Sequence, residues 1–359
     1  MIKKGAQAGL GHLFLLLSKG VFMEYFVNDY SEICHPKILD RMRDYLTAPQ
    51  AGYGYDSHCD RAKELLYKEM GRSDGDIHFI PGGTQANLVA IAAFLRPHQA
   101  VIGARTAHIH DHEAGAIESR GHKIYLADSP DGKLRPEAID PLVQSHQAEN
   151  TAHPKLVYIS DTTEVGTVYS KKEIKALYDY CESRDLLLYI DGARLGSALT
   201  SPANDMSLAD FAKYSHAFFI GGTKNGAMIG EALVIMKEEL KEDFRVIMKQ
   251  NGAILAKSFV TGIQFEVLFE DGLYYDLANH ANKLAMKLAE ALQEKGYDLI
   301  QDAQSNQIFP IFTKEKIREL RENFAFEDWA EEGEGLYSVR FVTSWATKES
   351  SVDALIRAL

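Results

Sequence analysis

The sequence predicts an α/β fold: a mostly parallel, doubly wound sheet followed by a smaller C-terminal α/β domain. Two observations carry this prediction. Between about residues 36 and 236, short apolar runs alternate with stretches of helical periodicity, the pattern of βα units on a parallel sheet. After residue 250 the pattern changes to long helices and then a mixed helix and strand tail. A chain of 359 residues that is 46% hydrophobic can bury a core of this size. We expect a large domain with an N-terminal arm over 23–252 and a small domain over 253–359.

Residues 1–22 carry Lys3 and Lys4, then the short apolar run 13–17. No small-x-small cleavage pattern follows, so an N-terminal extension outside the core is expected rather than a signal peptide. The strands are read at 77–80, 100–103, 123–126, 155–160, 186–190, 217–220 and 232–236, each bordered by a periodic helix. A helix is predicted to open at Thr84, and another at Ser170, where Glu173 three residues on completes a capping box. Further helices are predicted over about 253–269 and 273–296, and the glutamate-rich stretch 327–335 is read as a solvated acidic loop.

The net charge of −12 leaves no basic stripe, so nucleic acid and anionic membrane surfaces are excluded as partners and small-molecule chemistry is favoured. Cys34, Cys59 and Cys181 form no CxxC pair, which fits a reducing, cytoplasmic setting without a disulfide framework. No apolar run reaches the roughly 18 to 20 residues of a membrane span.

Four motifs bring chemistry to the sheet edge where open α/β sheets bind ligands. In LLLYIDGARLG a buried strand delivers Asp191, with Arg194 three residues later. In AFFIGGTKNG a glycine turn and Thr223 present Lys224, whose partial desolvation makes the amine nucleophilic. In IHFIPGGTQANLV a strand, a glycine turn and a helix start aim the amides of Gly83, Thr84 and Gln85 at one phosphate. In RTAHIHDHEAGA, His108 comes first after a strand, where an imidazole can lie on an aromatic ring. The cluster lacks the HExxH spacing of a zinc site, so no metal is expected. Each motif alone has a bland reading: a salt bridge for Asp191, a solvated loop lysine for Lys224, an ordinary helix start for Gly83. One cofactor uses all four. Pyridoxal 5′-phosphate needs a Schiff-base lysine, an acid on the ring nitrogen, a phosphate cup and a stacking ring.

In this order the motifs FVNDYSEICHP, GYGYD, PGGTQAN, AHIHDHEAGA, TTEVGTVYS, IDGARL, GGTKNG and VRFVTSW resemble the threonine aldolase family, within the β-eliminating lyase group of fold-type I pyridoxal phosphate enzymes. The resemblance implies Lys224 as the cofactor-bearing lysine, Asp191 on the ring nitrogen, His108 stacked on the ring, and Gly83 and Thr84 at the phosphate. It implies that Arg194 and Arg340 hold the substrate carboxylate. Asn28 stands where many members have a serine at that carboxylate, and Glu164 where some have a second active-site histidine. Either His108 or Glu164 then handles the β-hydroxyl proton, with His108 preferred. The implied reaction is aldol cleavage of L-threonine or L-allo-threonine to glycine and acetaldehyde. The alternatives are another reaction of the same cofactor, such as β-elimination or decarboxylation, and a binding protein that kept the fold. The resemblance also implies a homodimer or homotetramer with shared active sites, the segment around Lys257 crossing to the neighbour.

Overall fold

The computed structural model describes residues 23–359; the predicted N-terminal extension and its apolar run lie outside the described residues. The chain enters through a short strand, β1 (Glu24–Tyr25). The main sheet comprises β2 (Asp76–Ile80), β3 (Gln99–Ala104), β4 (Ile124–Ala127), β5 (His153–Ser160), β6 (Leu187–Asp191), β7 (Ala217–Gly221) and β8 (Glu231–Ile235). All seven coincide with the apolar runs read from the sequence. Their order across the sheet is β2-β8-β7-β6-β5-β3-β4. β4, β3, β5, β6 and β7 pair in parallel, whereas β8 runs antiparallel to both β7 and β2. One reversed strand among six co-directional ones makes the sheet mostly parallel, as predicted. After β3 the chain steps outward to β4 and then returns to place β5 on the other side of β3. The strand order switches there, and open α/β sheets have their ligand-binding crevice at such a point, here the carboxyl ends of β3 and β5.

Helices α1 (Pro36–Asp44), α2 (Ser57–Met70), α3 (Gly83–Phe94), α4 (His108–Asp111), α5 (Pro136–Ser145), α6 (Lys171–Ser183), α7 (Leu195–Leu199), α8 (Leu208–Lys213) and α9 (Phe244–Gln250) cover and connect this sheet. Strand alternation divides its side chains between two apolar layers. Leu188 and Ile190 of β6 join Val157, Ile159, Phe218 and Ile220 beneath α2, α6 and α8. Leu187 and Tyr189 join Leu156, Tyr158 and Phe219 beneath α3 and α9. Both faces are covered, which is why the strands read as continuous apolar runs. Each large side chain so buried contributes roughly 1.5–3 kcal/mol. The capping box at α6 forms as expected, Ser170 and Glu173 bonding each other's backbone.

α10 (Phe259–Glu270) and the 22-residue α11 (Leu273–Glu294) follow. The helix expected from residue 253 starts six residues late. The segment before it folds as a loop through Gly252, whose φ is +69°, and Ala253, whose amide bonds the carbonyl of Met248. Beyond α11 lie β9 (Gln307–Ile308), β10 (Ile311–Thr313), α12 (Lys314–Leu320), β11 (Phe324–Ala325), β12 (Glu327–Gly333), β13 (Leu336–Val342) and α13 (Glu349–Ala358). A separate core forms here from Leu284, Leu288, Phe312, Phe341, Val352 and Leu355, joined by Phe26 of the N-terminal arm. β1 pairs with β11 in parallel as a two-stranded sheet of its own, which ties that arm to the C-terminal part of the chain.

The acidic stretch 327–335 is not a solvated loop. It is mostly strand β12, paired antiparallel to β13, with the turn made at Gly333, Glu334 and Gly335, all at positive φ. Trp329 anchors it edge-on against Phe309, ring centroids 4.8 Å apart. Among five acidic neighbours, one tryptophan and the strand pairing outweigh the charge signal.

Candidate active site

β6 and β7 end side by side because two glycines let their backbones meet. A Cβ on Gly192 would stand 1.9 Å from the carbonyl oxygen of Phe219, and one on Gly221 would stand 2.3 Å from that of Ala193. The amide of Gly221 donates to the carbonyl of Gly192 at 2.9 Å. This contact places Asp191, at the end of β6, and Lys224, just beyond β7, on one edge.

The turn carrying Lys224 is held from β8. The Gly222 amide donates to buried Glu231 at 2.8 Å, and the Gly230 amide to the Thr223 hydroxyl oxygen at 3.1 Å. Thr223 therefore secures the turn. The ammonium of Lys224 lies 5.9 Å from the ring centre of Tyr30. Burial, aided by the Arg194 charge and opposed by Asp29 and Asp191, lowers its pKa to about 8. Burial raises Glu231 to about 8, against hydrogen bonds from Thr223 and Gly222.

Asp191 is buried and accepts three hydrogen bonds: from the Tyr158 hydroxyl at 2.6 Å, from Asn87 Nδ2 at 2.9 Å and from the Ala193 amide at 2.9 Å. Asn87 also donates to Glu113 at 2.7 Å, and Glu113 meets His108 Nδ1 at 2.8 Å. His108 opens α4 beside the crevice, its backbone amide donating to Glu164 Oε1 at 3.0 Å. The Ser160 hydroxyl reaches the same oxygen at 2.7 Å. Ser160 and Asp191 are register partners on β5 and β6, so Asp191, Ser160, Glu164 and His108 follow one line along the sheet edge. Burial raises the pKa of Glu164, with the Asp191 charge adding and the Ser160 bond opposing.

The two arginines are each already engaged. Arg194 grips buried Asp29 through Nε at 2.7 Å and Nη2 at 3.1 Å, and Asn306 adds a 2.9 Å bond to the same carboxylate. Burial alone would raise Asp29, but Arg194, Lys224 and these hydrogen bonds hold it below the ordinary carboxylate range. Arg340, on β13, divides its guanidinium between Gln307 at 3.3 Å and Glu327, and its buried Nε has no hydrogen-bond partner. Burial lowers its pKa, and Arg194 is near enough to add to the effect. Asn28 turns its side-chain oxygen toward the Tyr30 amide, 3.0 Å, and the Ser31 hydroxyl, 2.8 Å, closing its own turn.

α3 follows β2 and begins behind Gly82, which offers no side-chain cap. The first-turn amides of Gly83, Thr84 and Gln85 therefore lack helical partners and carry the positive end of the helix dipole. The Gln85 side chain points to the Asn251 carbonyl at 3.0 Å. Asp29, Asn87, Tyr158 and Glu231 were not singled out from the sequence. For Asn87 a signal existed, one helical turn beyond Thr84. For Glu231 it was a carboxylate opening a buried apolar strand.

A lysine of lowered proton affinity, a triply bonded carboxylate, an uncapped helix start and Arg194 at the edge of the main sheet, with Arg340 on β13 of the C-terminal sheet, make up a set of groups suited to a phosphorylated aromatic cofactor and an anionic substrate. The β-eliminating lyase family model matches residues 35–315, and the chain belongs to that family. It is 31% identical over 338 residues to a low-specificity L-threonine aldolase of Pseudomonas aeruginosa, covering 93% of this chain and 96% of that protein. An Escherichia coli protein of the same name is 26% identical, over 73% of this chain and 76% of its own length. Among solved structures, Leishmania major threonine aldolase superposes with a TM-score of 0.92 at 46% identity, covering 93% of this chain and 98% of that one. A Thermus thermophilus aspartate aminotransferase variant, at 16% identity and TM-score 0.73, shares the fold. The chain thus has the fold-type I architecture, and its cofactor is pyridoxal 5′-phosphate. The residues present fit it: a lysine with lowered proton affinity, a buried acid, and free amides at a glycine-started helix.

Proposed function

We propose that this lyase cleaves L-threonine and L-allo-threonine, and β-hydroxy-α-amino acids like them, to glycine and acetaldehyde or the corresponding aldehyde. The observation that carries the proposal is the convergence of Lys224, Asp191, Arg194 and His108 on one edge, reinforced by the full-length similarity to aldolases. When bound, the cofactor supplies an electron sink for charge developing at the substrate α-carbon. Lys224 would hold it covalently with Thr223 beside it, Asp191 would pair with its ring nitrogen, His108 would lie on its ring, and Gly83, Thr84 and Gln85 would serve its phosphate end. Arg340 and Arg194, with Asn28 beside them, would fix the substrate carboxylate and so choose which α-carbon bond faces the ring. His108, directly or through water, takes the β-hydroxyl proton; Glu164, whose burial favours its protonated form, is the second candidate. Lys224 then returns a proton as glycine leaves.

Incubation with L-threonine and, separately, L-allo-threonine should release acetaldehyde and glycine. Acetaldehyde from neither overturns the reading. Arg340→Ala should raise the Michaelis constant for the amino acid roughly 10-fold or more, the worth of a charge-assisted hydrogen bond, with a smaller change in kcat. An unchanged Michaelis constant would remove Arg340 from the carboxylate site.

The enzyme is further proposed to be a cytoplasmic homodimer or homotetramer with shared active sites. Tyr30, Ile33, Leu46, Tyr53 and Tyr55 stand exposed close to one another in sequence, an apolar set suited to a second copy. The loop bearing Tyr53 bonds the carbonyl of Ala256, next to exposed Lys257. No helix among the described residues is long and apolar enough to cross a membrane.

A further inference from the structure

The geometry points to Glu113 and Asn87 as positioning residues that keep the proton of neutral His108 on Nδ1, leaving Nε2 as the acceptor for the substrate hydroxyl. This deepens the proposed function and rests on it for the identity of the substrate. Asn87 is completely buried, and its amide nitrogen donates both hydrogens, one to Glu113 and one to Asp191. Both partners are carboxylates, so only one amide orientation works, and the Tyr189 hydroxyl locks it by donating to Asn87 Oδ1 at 3.1 Å. The acid assigned to the cofactor ring and the acid behind His108 are thereby fixed by one side chain.

Glu113 Oε1 receives both the Asn87 hydrogen and His108 Nδ1, while its Oε2 is buried without a partner. Burial pushes Glu113 toward its protonated form, and the hydrogen bonds from His108 and Asn87 oppose that push. A protonated Glu113 would hand its hydrogen to Nδ1 as donor and drive His108 into the Nε2–H form, which cannot accept from a hydroxyl. Asn87 works against this by giving the carboxylate a second donor, which opposes the burial that raises Glu113. His108 Nε2 makes no hydrogen bond among the described residues and is left to act. In the step itself the β-hydroxyl O–H breaks, the proton moves to Nε2, and the imidazolium formed is paired with the Glu113 carboxylate already in contact. The arrangement is that of a histidine base oriented by a buried acid.

The tautomer is read directly by long-range proton–nitrogen correlation spectra of the resting enzyme labelled with ¹⁵N-histidine. The native protein should show His108 protonated at Nδ1; protonation at Nε2 alone overturns the proposal without any variant. Glu113→Gln, nearly the same shape, should mix the tautomers and lower kcat by roughly 100-fold, with the Michaelis constant changed less than about threefold and cofactor absorbance retained. An unchanged tautomer with unchanged kcat overturns it. Should Glu113→Gln fail to fold, Asn87→Asp is the second variant: it should shift His108 toward Nε2–H, and an unaltered spectrum is a contrary result. If the native enzyme releases no acetaldehyde, the substrate assignment fails, while the spectrum still judges the wiring of His108.

Discussion

Lys224→Ala is expected to lower turnover by roughly 10³-fold or more, since in the proposed mechanism one substitution removes both the nucleophile that holds the cofactor and a proton carrier. It should also remove the absorbance near 420 nm, roughly where a lysine-bound pyridoxal absorbs. The expectation follows from the setting of the amine. With its pKa lowered to about 8, about one-tenth of Lys224 is neutral at pH 7, roughly 300-fold more than for an ordinary lysine. Cofactor capture by the apoenzyme should therefore accelerate as pH rises toward and through about 8 and level off above it. The same shift has a stability sign. Between about pH 8 and the ordinary lysine value of 10.5, the unfolded chain binds the extra proton, so the apoenzyme gains stability across that window as pH rises. A capture rate that stays flat from pH 6 to 9 would show that Lys224 is not the group that reacts.

Asp29→Ala carries the second large effect, and it falls on folding as well as on the site. The side chains of Arg194 and Asp29 are 11% and 1% exposed. Removing the carboxylate leaves a buried guanidinium without its ion pair and Asn306 without that acceptor, a loss of about 3–5 kcal/mol. In a chain of this size the melting temperature should fall by on the order of 10 °C. Because the folded-state pKa of Asp29 is lowered, its contribution is fully present above the ordinary carboxylate value. It is lost as pH falls through the depressed one, so native and variant stabilities should converge in acid. A variant within about 1 kcal/mol of native would mean that Arg194 is held by solvent rather than by Asp29.

The main sheet was legible in the sequence because a strand covered on both faces must read as an apolar run, and all seven did. Lys224, Asp191 and the start of α3 were legible for a related reason. Each follows such a run, and in a parallel sheet carboxyl ends share an edge. What was not legible depends on contacts distant in sequence. Asn87 and Asp191 are 104 residues apart, and Arg194 and Asp29 are 165 apart. Arg194 could be recognised as a cation near the site, but nothing local revealed that two of its nitrogens already serve a buried carboxylate. Glu113 was visible only as part of a histidine-rich cluster, since its role depends on Asn87 reaching it from another helix. Strand β12 was hidden for a different reason. Its charged residues mimic a loop, and only pairing with β13 and the Trp329 contact on Phe309 reveal the hairpin.

The central claim is that Lys224 carries the cofactor. It is tested most directly by reducing the holoenzyme with borohydride, digesting it and locating the phosphopyridoxyl group by mass spectrometry. The adduct is predicted on the peptide containing Gly222, Thr223 and Lys224, on the Lys224 amine. An adduct on any other lysine, or none on a protein that binds the cofactor, would contradict it.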